Sequence, residues 1–404
     1  MDDDEDLIVM DDEVDNDWTP GGLLPRVTLR TGFREPVKFD SATAFKECML
    51  EAQAHGAADV YIQPNYPICG RINGDLMAIT RRALDTKEVQ NILLWATGRD
   101  SAFESIITGK AVNGRFELFD PDKRDRRGAK VRYGYRVNAS AVRSFGGVSS
   151  QIVMRSIPNT PPLFSDLGLD ETMVRQMTPR DGIGYIAGKT GSGKTTTIAS
   201  VIRYILENDT AIKGNILSHE DPIEYVFDSI QSRHSIVVQS QIGLHFDTFD
   251  DATREAMRRA PAMVYLGEMR DEASIRAGTE LSLTGHLVLG TVHANDCASV
   301  MRRQISRFPD DERATAIYDI VDTCRFILCQ RLVKGRDGKL LAAREFLVFN
   351  DEVRTVLSDL SEMGQVTARI REMVEAHGRS FRAEAERLLA LGKIDEHVAR
   401  SLTA

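Results

Sequence analysis

Residues 188–195, GKTGSGKT, satisfy every fixed position of the phosphate-loop pattern G-x-x-x-x-G-K-[ST]. The pattern constrains the fold because it works only between a strand and a helix, and both flanks are present. Ile183, Gly184, Tyr185, Ile186 and Ala187 form an apolar run that reads as a buried strand. Ile198, Val201, Ile202, Ile205 and Leu206 then recur at the spacing of one helix face. Glycines let the backbone wrap close to phosphate oxygens, and the new helix aims its N–H groups and positive dipole end at them. The expected contacts to ATP are Gly188, Thr190, Gly191, Ser192, Gly193, Lys194, Thr195 and Thr196. Lys194 would reach the β- and γ-phosphates, and the Thr195 hydroxyl would ligate Mg²⁺.

Around this loop, from about Met177 to Asn350, apolar strands alternate with helical patterns, as in a parallel sheet flanked by helices. Strands are expected at 183–187, 215–219, 263–266, 287–291 and 326–329, with an edge strand at 344–350. Beyond them the pattern is helical at 369–376, 381–391 and 394–402. Before the loop, Ser41 is placed to cap a helix carrying Phe45, Cys48, Met49 and Ala52, with Gly56 ending it. Short alternating runs follow, giving a small α/β unit. The proline-rich stretch 157–169 reads as the connection between the two.

Three downstream segments supply candidate chemistry. In SHEDPIEYVFD (218–228), Glu220, Asp221 and Glu224 would emerge at a strand end, where open α/β sheets bind ligands, and Pro222 would stop the strand. In AMVYLGEMRD (262–271), an apolar strand ends in Gly267 and Glu268. A carboxylate there can orient the attacking water or take its proton. No Asp stands at that strand end, so Mg²⁺ would be held by Thr195 and water-mediated contacts. In TGHLVLGTVHAND (284–296), His286 and His293 bracket a strand. Each can contact phosphate or a carboxylate, or be structural. Zinc is not expected, because no Cys/His set has ligand spacing. Arg132, Arg136, Arg143 and Arg155 lie on or near strands of the first unit. They could stabilise transition-state charge from outside the nucleotide domain or form a solvated basic face. The cluster Lys123, Arg124, Arg126, Arg127 and Lys130 reads as a loop.

Charge narrows the function classes. The net charge of −9 is misleading, because the first seventeen residues hold ten acids and no base, leaving the remainder at +1. A near-neutral folded part argues against specific nucleic-acid binding. The acidic tail is too polar to fold alone; it is a solvated tail or a docking segment for a basic partner. No stretch approaches the ~20 apolar residues of a membrane-spanning helix, and no secretory signal is evident at the start. The five cysteines form no CxxC pair and read as reduced thiols of a cytosolic protein.

GKTGSGKTTT, EDPIEYVF, YLGEMRD and TGHLVLGTVHA, in this order, resemble the Walker A, Asp box, Walker B and His box of the type II/IV secretion traffic ATPases, the PilT-like superfamily. WTPGGLLPRVT, VYIQPN, KVRYGYRVNAS and RSIPNTPP look like the DotB/TraJ-type subgroup of type IVB secretion and conjugation systems. The resemblance implies a PAS-like N-terminal α/β domain and a RecA-like P-loop ATPase domain with a helical C-terminal region. It implies a homohexamer, cytoplasmic, docked on inner-membrane secretion or pilus components. By motif it makes Glu224 and Glu268 the catalytic carboxylates, assisted by Lys194 and His293, with His286 as the first His-box residue. Arg136, Arg143 and Arg155 fall where the family supplies phosphate-contacting arginines, in part from a neighbouring subunit. The domain expectation is an acidic disordered tail and linker at 1–35, the PAS-like domain at 36–160, a linker at 161–178, the ATPase domain at 179–350 and the helical region at 351–404. MRRAPA (257–262) replaces the acidic LREDPD common in retraction enzymes, which weakens a pure pilus-retraction assignment. Four functions are open: a secretion or conjugation motor, a pilus-retraction motor, a nucleotide-binding scaffold or switch, and a RecA-like DNA motor, which the near-neutral folded part disfavours.

Overall fold

The computed structural model describes residues 24–30, 33–124, 128–144, 147–157 and 160–403. The acidic run at the start, Arg126 and Arg127, and Pro158 of the expected connection lie outside them. The chain divides into two compact units, Met1–Ile157 and Pro158–Ala404.

The first unit is built on β1 (Asp59–Ile62), β2 (Cys69–Ile72), β3 (Asp75–Ala78), β4 (Val112–Arg124), β5 (Lys130–Ser144) and β6 (Gly147–Ile157). They form an antiparallel sheet in the order β3-β2-β1-β6-β5-β4, the PAS-like unit of the chain. One face is apolar because Val60, Phe116, Tyr135, Val137 and Met154 alternate onto it and are buried. The helix Ala42–Ala54 covers it, Phe45 packing 5.3 Å from the Phe116 ring. Ser41 caps this helix as expected, accepting the Ala44 N–H at 3.3 Å. On the opposite face Arg71, Asp59, Arg155, Arg136 and Arg115 stand directly across from one another on five successive strands. Lys123, Arg124 and Lys130, expected in a loop, instead sit on β4 and β5. The hairpin ladder continues past the core, pairing Arg124 with Lys130.

The second unit contains β7 (Gly182–Ala187), β8 (Gly214–Glu220), β9 (Ser235–Gln241), β10 (Pro261–Leu266), β11 (Leu287–Val292), β12 (Cys324–Lys334) and β13 (Leu340–Val348), in the order β13-β12-β7-β11-β10-β8-β9. All neighbours are parallel except β12 and β13. Every residue of β7 and β11 is buried, which is why these strands read as continuous apolar runs rather than alternations. This is the RecA-like half of a mixed α/β protein. Strand β9 was not expected. Its apolar residues are only Ile236, Val237 and Val238 among polar neighbours, and as an edge strand it leaves Ile236 65% exposed. The other edge, β13, begins four residues earlier than its pattern suggests. The C-terminal helices run over Met363–His377, Phe381–Ala390 and Glu396–Thr403. Among the described residues no helix is long and apolar enough to cross a membrane.

Candidate nucleotide site

β7 lies between β11 and β12, where the chain's path across the sheet reverses, and such switch points open a crevice at the carboxyl ends of the strands. The loop 188–193 leaves β7 there and turns into the helix Lys194–Glu207. Gly191 and Gly193 adopt φ of +77° and +85°, the left-handed backbone that curls successive N–H groups into an anion-binding nest. A Cβ on Gly193 would come 2.9 Å from Gln330 Nε2. Lys194 is buried, and its Nζ donates to Gly188 O at 3.0 Å and Lys189 O at 3.1 Å. Burial lowers its pKa, and the nearby carboxylates of Glu268 and Glu224 oppose that shift. Ser192 Oγ is buried and has no hydrogen-bond partner among the described residues. A buried cation, an orphaned hydroxyl and a nest of N–H groups together fit a polyphosphate.

Two cavities flank the loop. One, of about 730 Å³, is bordered by Gly193, Thr196, Thr197 and the apolar side chains of Leu332, Leu341 and Leu391. The other, of about 560 Å³, lies over residues 188–192 and reaches Leu402 of the last helix.

Glu268 is aimed by the turn that ends β10. Gly267 N–H donates to His219 O of β8 at 2.7 Å, and Gly267 O accepts from the Thr291 hydroxyl of β11. Met269 N–H then donates to Thr291 O at 2.9 Å. The Met269 side chain fills a slot left by two glycines. A Cβ on Gly290 would stand 2.3 Å from its sulfur, and one on Gly278 would stand 2.7 Å from its methyl. Gly290→Ala is therefore expected to destabilise the protein by about 1–3 kcal/mol through overpacking. It should also lower ATP turnover by moving Glu268, checked by urea unfolding beside an ATPase assay.

His293 follows β11, with Nε2 3.8 Å from Glu268 Oε1. Burial and then the Lys194 charge lower its pKa, so the ring is neutral near pH 7. Glu224 follows β8 and lies close enough to Lys194 to act on its charge. The segment is tied to the P-loop helix by the Tyr225 hydroxyl, 3.0 Å from Thr196 Oγ1. Tyr265 is buried with its hydroxyl close enough to the Thr195 side chain for each to act on the other. Thus Lys194, Thr195, Glu224, Glu268 and His293 converge on the carboxyl ends of β7, β8, β10 and β11.

Glu220 is fully enclosed, bonded by the Ser218 hydroxyl and by Gln239 Nε2, which also donates to Tyr225 O at 2.7 Å. Burial, with Glu224 adding, pushes its pKa from 4.5 up to about 7. The folded protein therefore holds a proton that the unfolded chain releases near pH 4.5. This contribution to stability is complete below pH 4.5 and falls away as pH rises through about 7. The span is on the order of 3 kcal/mol. Glu220→Gln retains the acceptor oxygen and does not titrate. Its thermal midpoint should match the parent near pH 5 and exceed it at pH 8; equal midpoints at pH 8 would count against a buried neutral acid.

The structure does not gather every expected residue. His286 stands at the opposite end of β11 from His293, its Nδ1 3.1 Å from Leu281 O and 3.0 Å from Thr284 Oγ1. It is thus remote from the P-loop of its own chain. Arg136 and Arg155 are cross-strand neighbours, and Arg155 is held by Asp59 at 2.7 Å. Arg143, an odd number of residues from Arg136 on β5, falls on the other face, near the exposed end of the hairpin. The cysteines are all buried and free, and two of them meet. Cys297 and Cys329 lie with Glu345 within 4.8 Å, a grouping their spacing does not reveal. Glu345 accepts the Cys297 N–H at 2.7 Å. Sequence reasoning missed Tyr225, Tyr265, Gln330 and Arg344. Gln330 alone carried a signal, as a polar residue within the apolar run FILCQRLV.

The Type II/IV secretion system protein family matches residues 135–340, half of the chain. The chain belongs to that family. It is 46% identical to the ATPase DotB of Yersinia pseudotuberculosis, over 94% of this chain and 98% of that one, with a TM-score of 0.76. It is 34% identical to the Legionella pneumophila ATPase DotB, over 92% and 98% of the two chains, with a TM-score of 0.85. The pilus retraction motor PilT, solved with bound ADP, is 27% identical over 88% and 96%, with a TM-score of 0.72. The protein is thus a PilT-like secretion or pilus ATPase by kinship, close to DotB.

Proposed function

We propose that the protein is a homohexameric motor that hydrolyses ATP to power substrate transfer or assembly at a type IVB-like secretion or conjugation apparatus. It would act in the cytoplasm, docked on inner-membrane components. The observation that carries the reading is the convergence of Lys194, Glu224 and Glu268 at the carboxyl ends of β7, β8 and β10. A scaffold that merely binds nucleotide needs the lysine and not two carboxylates beside it. Kinship with the DotB ATPases supports the secretion role over pilus retraction.

In this reading the triphosphate lies along Gly188, Thr190, Gly191, Ser192, Gly193 and Thr196, with Lys194 Nζ leaving the loop carbonyls for the β- and γ-oxygens. The base enters the 730 Å³ cavity beside Thr196 and Thr197, against Leu332 and Leu341. Thr195 would hold Mg²⁺, which when bound neutralises charge on the phosphates. Glu268 polarises the attacking water, neutral His293 accepts or donates a hydrogen bond beside it, and Glu224 is the second carboxylate of the site. Arg136 and Arg155 offer positive charge to a neighbouring subunit's nucleotide. His286, at the far end of β11 from the P-loop, would act only across a subunit boundary.

The test is ATP turnover by the purified protein and by Glu268→Gln over a range of protein concentrations. A motor that traps nucleotide between subunits gives specific activity that rises with concentration and vanishes in the variant. Turnover strictly proportional to enzyme, from a monomeric mass, would overturn the ring. Equal negligible turnover in both, even with apparatus components added, would favour the scaffold.

A further inference from the structure

Beside the phosphate loop, on the wall of the 730 Å³ cavity, lies a buried polar cluster that takes no part in the reaction steps above. Gln330 on β12 is 3% exposed and directly faces Arg344, also 3% exposed, on β13. Gln330 Oε1 accepts from the Thr197 hydroxyl at 2.9 Å and from Arg344 Nε at 3.0 Å, while its Nε2 donates to Ser192 O. The second arm of Arg344 donates to Leu167 O at 2.7 Å. Burial brings the pKa of Arg344 down only to about 10, so it stays charged.

The amide has one possible orientation. A guanidinium only donates, so the oxygen must face Arg344; a main-chain carbonyl only accepts, so the NH₂ must face Ser192 O. That contact fixes a peptide plane. In a trans peptide the C=O of Ser192 and the N–H of Gly193 point in opposite directions. Holding Ser192 O against β12 therefore turns the Gly193 N–H away from the core, into the phosphate nest. The missing side chain of Gly193 leaves room for this latch.

We propose that Gln330, oriented by Arg344, is a positioning residue that sets the phosphate loop for nucleotide. The idea rests on the loop being the nucleotide site, as proposed above. Gln330 touches no reacting atom. It acts by aiming Gly193 N–H, and Arg344 acts by denying the amide its flipped state.

Gln330→Glu provides the test. It keeps the shape and the oxygen facing Arg344, but sets a second acceptor against Ser192 O. Binding of a fluorescent ADP analogue is measured for the parent, Gln330→Glu, Gln330→Met and Lys194→Ala from pH 5 to 8, beside the thermal midpoint of each. At pH 8, Gln330→Glu is expected to bind at least tenfold more weakly than the parent. The affinity should recover as pH falls, because a protonated carboxyl regains the donor. Gln330→Met, lacking both polar atoms, should be weak at every pH. A merely structural glutamine would give no such pH-dependent recovery. If Lys194→Ala loses binding and either folded Gln330 variant binds within twofold of the parent at pH 8, the positioning role is overturned and the loop assignment stands. If Lys194→Ala itself binds like the parent, the loop assignment is what fails. If Gln330→Glu does not fold, Gln330→Met decides between the first two outcomes.

Discussion

Lys194→Ala is expected to weaken ATP-analogue and ADP binding by about 100-fold or more. An ammonium bonded to two phosphate oxygens makes two charge-assisted hydrogen bonds, each about 1.5–3 kcal/mol, and every 1.4 kcal/mol is about tenfold in affinity. The same substitution should leave the nucleotide-free fold nearly unharmed. In the free protein the ammonium is already penalised by burial and, among the described residues, bonds only to the Gly188 and Lys189 carbonyls of its own loop. Removing it frees two acceptors next to a large cavity open to water. Calorimetric titration with a non-hydrolysable analogue, beside a thermal melt of the free protein, checks both halves. Unchanged affinity would remove the phosphate-loop assignment, and an unfolded variant would contradict the account of the apo loop.

Glu268→Gln is expected to lower kcat by about 10²–10⁴, the range for loss of a positioned proton acceptor, while leaving nucleotide affinity intact or raising it. The sign follows from charge. The carboxylate lies close enough to Lys194 to act on its charge, so ATP brings a polyanion toward it, and the amide removes that repulsion. The amide also retains the outline of the side chain, so the Gly267 turn and the Met269 slot are undisturbed. Single-turnover hydrolysis and ADP binding measured on one preparation separate the two effects. Loss of both together would point to a displaced turn rather than lost chemistry.

How much of this was legible beforehand depends on whether a signal was local. The cap at Ser41, the buried run at 183–187 and the helix face after Lys194 depend on neighbours within a few residues, and each lies within a residue or so of its expected position. The Glu268 turn was legible because an apolar strand ending in Gly and Glu is a short pattern. Strand β9 was not, since its place at the sheet edge asks little hydrophobicity of it. Lys123, Arg124 and Lys130 misled because strands that continue beyond their core are as polar as a loop.

Sequence by itself determined the phosphate loop, its flanking strand and helix, the α/β class and the four-motif kinship, all set by residue type at fixed short spacing. Only the tertiary structure decided which distant residues meet. It brought Gln330 and Arg344 under Ser192 and closed Glu220 away from water. It sent His286 to the far end of the strand that carries His293, and it put Arg143 on the other face from Arg136. The physical reason is the same throughout. Hydrogen bonds, desolvation and strand parity act through space, and the sheet order that sets those distances is written in no single segment of the chain.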